Sequence, residues 1–251
     1  MPALTKMADL TQRQIQILKC VVEEYISTAL PVGSDVLERK YNLGVSPATI
    51  RNEMAALTAS GYLRQPHTSA GRTPSPMALK LYVDTMMEEK KLTTGEEVAA
   101  KEKVMANKND FSRLMQDATK ALSVSTGCLA VAATEAGEVW HAGYSHILDQ
   151  PEFYNIDVTG EVLALLEQSK RLHQLFFEHG KWSGGETVEI LFGEELGWDN
   201  FDAVAIVASH FATPHGDGSI GIIGPVRFNY PVVVPVVRYY SDLVTEISSF
   251  A

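Results

Sequence analysis

The sequence predicts two parts of different class: a winged helix-turn-helix of three helices and a β-hairpin wing, then an α+β domain with an antiparallel sheet. Three observations predict this. Three helix starts fall between residues 10 and 60, each with a capping residue ahead of an apolar rhythm near 3.6. Residues 62–75 then read as strand, polar tip and return strand. Beyond residue 110, helical stretches alternate with short apolar runs such as 204–208. The predicted division is a DNA-binding domain over 1–80, a helix and linker over 81–110, and an α+β domain over 111–251.

In the first helix Thr11 is the N-cap, and Ile15, Leu18, Val21, Val22, Tyr25 and Ile26 recur at helical spacing. It should end near residues 28–30, ahead of Pro31. Ser34 reads as the second N-cap, with Val36, Leu37 and Tyr41 forming an apolar face. Gly44 can supply a positive φ in the turn that follows. Ser46 is the third N-cap, and Pro47 takes the first helical position. Ile50, Met54 and Leu57 should face inward. The small or polar Ser46, Ala48 and Thr49 let this helix end approach phosphates. Arg51 and Asn52 carry donors and acceptors suited to base edges or backbone oxygens, although both also suit a solvated face.

Tyr62-Leu63-Arg64-Gln65 reads as a short strand and residues 67–72 as a polar tip. Thr73 starts the return strand, which Pro74 curtails. A wing lies along the DNA backbone or in the minor groove, where arginine is favoured. Arg64 and Arg72 are therefore the strongest phosphate or minor-groove candidates. His67 suits a phosphate or a neutral surface position, and Thr68 completes the polar tip. Ser69 and Gly71 serve the bend and close approach. Neither GxGxxG nor GxxxxGK[ST] occurs in the tip, which argues against a nucleotide loop.

The net charge of −10 first argues against nucleic acid, but its distribution reverses that. Residues 1–80 carry nine Lys/Arg and six Asp/Glu, a balance of +3; residues 81–251 carry twelve and twenty-five, a balance of −13. DNA responds to local charge at the contact surface. The apolar runs are too short to span a bilayer, and residues 1–10 show no leader pattern. The two cysteines, Cys20 and Cys128, sit in apolar surroundings and read as buried free thiols, which suits a cytoplasmic location.

Further along, 76–91 reads as a helix that packs on the first domain or pairs with a second subunit. Residues 92–109 read as a linker or solvated helix. Helices are expected over 111–123, 160–177 and 232–247, the last despite Pro235. Strands are expected over 127–134, 139–144, 187–192, 204–209 and 218–225. His210, His215 and Asp217 are a possible metal set. Pro214 and Gly216-Asp217-Gly218 also make an ordinary hairpin turn, the preferred reading. The adjacent Glu194 and Glu195 point in different directions, and Cys128 has no local histidine. No enzyme activity, cofactor or metal is therefore expected.

The wording of several stretches resembles the HrcA family of bacterial heat-inducible repressors. They are Leu10-Thr11-Gln12-Arg13-Gln14, Val22-Glu23-Glu24-Tyr25-Ile26, Pro31-Val32-Gly33-Ser34, the run from Leu43 through Met54, and that from Gln65 through Pro74. Tyr82-Val83-Asp84, Leu148-Asp149-Gln150-Pro151-Glu152-Phe153 and the run from Gly221 through Tyr230 resemble the family too, although Val226, Phe228 and Asn229 depart from its usual wording. The resemblance implies a homodimer that binds double-stranded DNA at an inverted-repeat operator called CIRCE. It implies repression of chaperone genes, a GAF-like regulatory or dimerisation role for the domain over 111–251, and modulation by the GroEL chaperonin. One departure is large. Residues 125–132 are followed almost at once by 139–143, where the family carries much of its GAF-like domain and a dimerising insertion, so that domain is expected to be shortened. A rival reading is a protein-interaction module that has lost operator binding.

Overall fold

The computed structural model describes residues 10–178 and 188–249. The expectation that residues 1–10 hold no leader falls almost wholly outside them, and Thr187 of the strand expected over 187–192 lies outside them too. The chain divides into two compact units, Met1–Glu88 and Glu89–Ala251.

The first unit starts with α1 (Gln12–Thr28), closed at its N-terminus by a capping box in which Thr11 and Gln14 satisfy each other's main chain. Its buried stripe is Ile17, Leu18, Val21 and Val22, whereas Ile15, Tyr25 and Ile26 are only half-buried. The stripe is rotated from the predicted one, with Ile17 and Cys20 buried in place of Ile15. It ends on Ala29, a non-glycine residue at φ 60°. Helix α2 (Ser34–Lys40) corrects one expectation. Gly33 is the N-cap, and Ser34 is a buried first helical residue that makes no side-chain cap. Glu24, almost fully buried on α1, accepts from Lys40 Nζ at 2.6 Å and Tyr41 Oη at 3.3 Å, which ties α1 to α2.

Helix α3 (Pro47–Ala59) follows a turn in which Gly44 stands at φ +65°. Ile50, Met54 and Leu57 are buried at helical spacing. Strands β1 (Leu63–Arg64) and β2 (Thr73–Pro74) pair antiparallel, Leu63 opposite Pro74 and Arg64 opposite Thr73. Helix α4 (Pro76–Thr85) is capped by Ser75, whose hydroxyl also donates to Gly61 O at 2.8 Å. It buries Leu79 and Tyr82 within the first unit.

The second unit is built on a five-stranded, wholly antiparallel sheet. Its strands are β3 (Leu129–Thr134), β4 (Val139–Ala142), β5 (Glu189–Phe192), β6 (Val204–Thr213) and β7 (Gly216–Pro225), in the order β4-β3-β7-β6-β5. Helices α5 (Thr94–Met105), α6 (Phe111–Thr126) and α10 (Tyr230–Ser248) pack together, with α6 and α10 against the sheet. A separate core joins Leu129, Val131, Val204, Ile206 and Ile223 to Val162, Leu165, Leu172 and Phe176. Every residue of β3 is buried, as a strand covered on both faces requires.

Two expectations change here. Residues 94–105 are a helix that does join a core, through Ala100 and Val104. The predicted long helix over 160–177 begins earlier and breaks: α7 (Ile156–Glu167) stops at Gln168, then α8 (Ser169–His173) and a π-helical turn (Gln174–Glu178) follow. Short α9 (Gly193–Leu196) contains both Glu194 and Glu195. Pro235 sits inside α10 without breaking it. It has no N–H to offer the Pro231 carbonyl one turn back, and the Lys90 N–H occupies that carbonyl at 2.8 Å.

Arg227, in the loop before α10, pairs with both carboxylate oxygens of Glu152 and reaches Gln150 at 3.4 Å. Two stretches 75 residues apart are thereby clamped together. Residues 213–216 form the β6–β7 turn. His210 and Asp217 approach only to 3.9 Å, while His215 stacks on Phe111 at 4.7 Å. No group of three or more His, Cys, Asp or Glu able to hold a metal occurs among the described residues. None of their helices is long and apolar enough to cross a membrane.

Candidate nucleic-acid interface

The start of α3 is a rigid, small-residue end. Ser46 Oγ accepts from the Thr49 N–H at 3.2 Å and lies 3.0 Å from Thr49 Oγ1, so both hydroxyls are engaged. Pro47 removes a donor that the first turn would leave unsatisfied. Ala48, Arg51 and Asn52 are exposed, and Thr49 is half-buried. On the opposite side, Ile50, Met54 and Leu57 anchor the helix. Arg13 of α1 adds a peripheral ion pair to Glu53 at 3.6 Å.

Between β1 and β2 the chain makes a compact tip. Gln65 Nε2 donates to the carbonyls of Thr68 and Ala70, at 2.9 and 3.1 Å. The Ala70 N–H donates to His67 O at 2.8 Å. Pro66, His67, Thr68 and Ser69 are left exposed. Beyond the tip, Arg72 and Val32 exchange two main-chain hydrogen bonds of 2.8 Å, adding the segment before α2 as a third rung beside the hairpin. Gly71 permits this. A Cβ there would lie 2.5 Å from both Val32 C and Val32 O. The close approach that Gly71 serves is therefore to the protein's own backbone.

Helix α3, the start of α2 and the tip enclose an open cleft of about 500 Å³. The cleft gathers Arg51, Thr68, Ser69, Gly71 and Arg72 from the predicted set, with Gln65 and Ser34 beside them. Ser46, Ala48, Thr49, Asn52, Arg64 and His67 do not line it. Asp35 also lines the cleft, but its carboxylate is engaged by Arg39 at 3.0 Å. Arg72 is turned inward: Nε donates to Thr58 Oγ1 at 3.1 Å and Nη1 to Ala70 O at 3.4 Å. Gln65 and Thr58 are the structural residues that the sequence pattern did not single out. Gln65 stands in the β1 wording, whereas Thr58 carries no local signal.

The first unit also encloses titratable groups whose protons are held more tightly than usual. Burial pushes the Cys20 thiol up to about 11 and the Tyr82 phenol up to about 12. Tyr41, raised first by burial and then by the Glu24 carboxylate it contacts, also reaches about 12.

The sequence family described as HrcA protein C terminal domain matches residues 74–234. The chain belongs to the HrcA family. This HrcA-family chain is 28% identical to the protein named heat-inducible transcription repressor HrcA of Carboxydothermus hydrogenoformans, over 94% of the chain and 97% of the relative. It is 45% identical to that of Acetivibrio thermocellus over a shorter stretch, 49% of the chain and 35% of the relative. The first of these alignments spans 337 positions against 251 residues here, so at least 86 positions of the relative have no counterpart in this chain. A crystal structure described as a hypothetical protein shares the fold, with a TM-score of 0.74 and 18% identity over 96% of this chain and 99% of that one.

Proposed function

We propose that the chain is a cytoplasmic transcriptional repressor that binds a double-stranded, inverted-repeat operator of the CIRCE type and holds chaperone genes off until heat releases it. The first unit acts as a winged helix-turn-helix. Helix α3 enters the major groove, with Arg51 and Asn52 at base edges or phosphates and Ser46, Ala48 and Thr49 close to the backbone. The tip residues His67, Thr68, Ser69 and Gly71, with Arg64 and the charge of Arg72, lie along the backbone or in the minor groove. The observation that carries the reading is the cleft that gathers Arg51 with the tip, next to an exposed, small-residue end of α3. The names of the relatives supply the class of activity.

Two copies read the two half-sites of the repeat, so the chain acts as a homodimer. The second unit, in the place of the family's GAF-like domain, holds the copies at the spacing of successive major-groove faces, about 34 Å. The GroEL chaperonin is the partner expected to modulate it. A footprint on a CIRCE-type duplex, run beside a mass measurement of the complex, tests this. Two protected half-sites and two chains per duplex are expected. One chain per duplex without half-site protection would leave the first unit as a protein-interaction module.

A further inference from the structure

We propose that Arg72 is a positioning residue: through Thr58 it braces the hairpin tip against α3, so that the interface is set before DNA arrives. The inference rests on the DNA-binding reading of the first unit. It departs from the simplest role for a wing arginine, a mobile cation reaching for a phosphate.

Arg72 joins three segments at once. Its main chain exchanges both hydrogen bonds with Val32, ahead of α2. Its Nε donates to Thr58 Oγ1 in the last turn of α3. Its Nη1 donates to the carbonyl of Ala70 in the tip. Thr58 is itself oriented, since its hydroxyl hydrogen goes to Met54 O at 2.8 Å. Having given its one hydrogen to Met54 O, the hydroxyl presents a lone pair that accepts the Arg72 Nε–H. The carboxyl-terminal end of a helix also favours a cation. Ala70 O receives a second donor from Gln65, which uses both of its lone pairs. The four-residue tip is thus closed by its own 67–70 bond, by Gln65 from one side and by Arg72 from the other.

This matters for binding because Thr68 and Ser69 are exposed and polar. A tip free to move would lose conformational freedom on the duplex, and affinity would fall by that amount. A tip already held at a fixed distance from α3 presents its backbone and Arg51 together across one cleft. Arg51, exposed on α3, reaches out from the helix, and Arg72 adds its charge from within the opposite wall of the cleft. Arg72 sets where the opposite wall stands.

The test uses the full-length chain and the variants Thr58→Val, Thr58→Ser, Arg72→Gln and the double variant Thr58→Val/Arg72→Gln. Hydrogen exchange of the tip is read in the free protein, and operator affinity is read across a salt series well below the melting temperature. Thr58→Val should speed exchange over residues 67–72 and weaken operator binding about three- to tenfold, with an unchanged salt slope because no charge is lost. Thr58→Ser, which keeps the hydroxyl, should restore both. The double variant should bind no more weakly than Arg72→Gln alone. If Thr58→Val unfolds the unit, Gln65→Ala probes the same tip from its other side, with faster tip exchange expected. Wild-type exchange and affinity in Thr58→Val, or losses that simply multiply in the double variant, would overturn the brace. Failure of the wild type to prefer operator would sink the DNA reading instead, while tip exchange would still decide whether Arg72 braces.

Discussion

Replacing Gly71 by alanine adds one methyl group, yet the structure predicts a large loss. Gly71 does not sit at a positive φ, so backbone conformation is not the cause. The added Cβ would stand 2.5 Å from Val32 C and O and 2.8 Å from Pro31 C. Ordinary contact at such positions begins near 3.4 Å, so the two segments must separate by nearly 1 Å. That opens the paired Arg72–Val32 hydrogen bonds, now 2.8 Å each. Overpacking of this kind costs about 1–3 kcal/mol, and each hydrogen bond about 0.5–1.5 kcal/mol net. A loss of about 2–6 kcal/mol is expected, a large share of the roughly 4–13 kcal/mol that holds a unit of this size. Urea denaturation of the full chain, with both units followed, reads the first unit's transition. Gly44→Ala is the internal control. It stands at φ +65° with nothing within 4 Å of its added Cβ, so only strain of about 1–2 kcal/mol applies. Gly71→Ala should lose more than Gly44→Ala, and should lose operator binding as well. The reverse order, or a Gly71→Ala loss below about 0.5 kcal/mol, would refute the close-approach argument.

Four further positions give expected outcomes. Ala29 ends α1 at φ 60°, so Ala29→Gly should raise the stability of the first unit by about 0.5–1 kcal/mol in the same urea assay. The Cys128 thiol is pushed by burial from 9.0 up to about 11. The folded state therefore keeps a proton that the unfolded chain releases, and this contribution to stability is whole below pH about 9 and is lost as pH rises towards 11. Thiol titration at pH about 8 should accordingly find Cys128 unreactive until the chain unfolds. At the interface, Arg51→Gln should lower the salt slope of operator binding by about one, whereas Asn52→Ala should keep the slope and narrow the preference for operator by about 1–3 kcal/mol if Asn52 reads a base. Both are read from one salt series on operator and scrambled duplexes.

Local chemistry made much of the first unit legible. Thr11 and Ser46 cap the helices they were expected to cap, Pro47 stands in the first turn, and Gly44 takes its positive φ. Ser34 misled because spacing alone cannot separate a capping residue from the first helical one; Gly33 took the cap, and the serine was buried. In the second unit, α5 was hidden because its contact with the core is only Ala100 and Val104, too narrow for an apolar rhythm. The break after α7 has no glycine or proline to announce it. Gln168 leaves the helical region at ψ 74°, and Leu172, Leu175 and Phe176 enter the core from the new direction. The same limit applied at the interface. Exposed Arg51 and Asn52 could be picked out from their position on α3, but the contact between Arg72 and Thr58 spans 14 residues and depends on how the hairpin folds back.

The central claim is that this chain discriminates one DNA sequence through its first unit. The most direct measurement is the ratio of its dissociation constants for a CIRCE-type inverted repeat and for a scrambled duplex of the same length and composition, both at one stated salt concentration. The account predicts that the repeat is bound at least about a thousandfold more tightly. Equal, weak and salt-sensitive binding to both duplexes would contradict it.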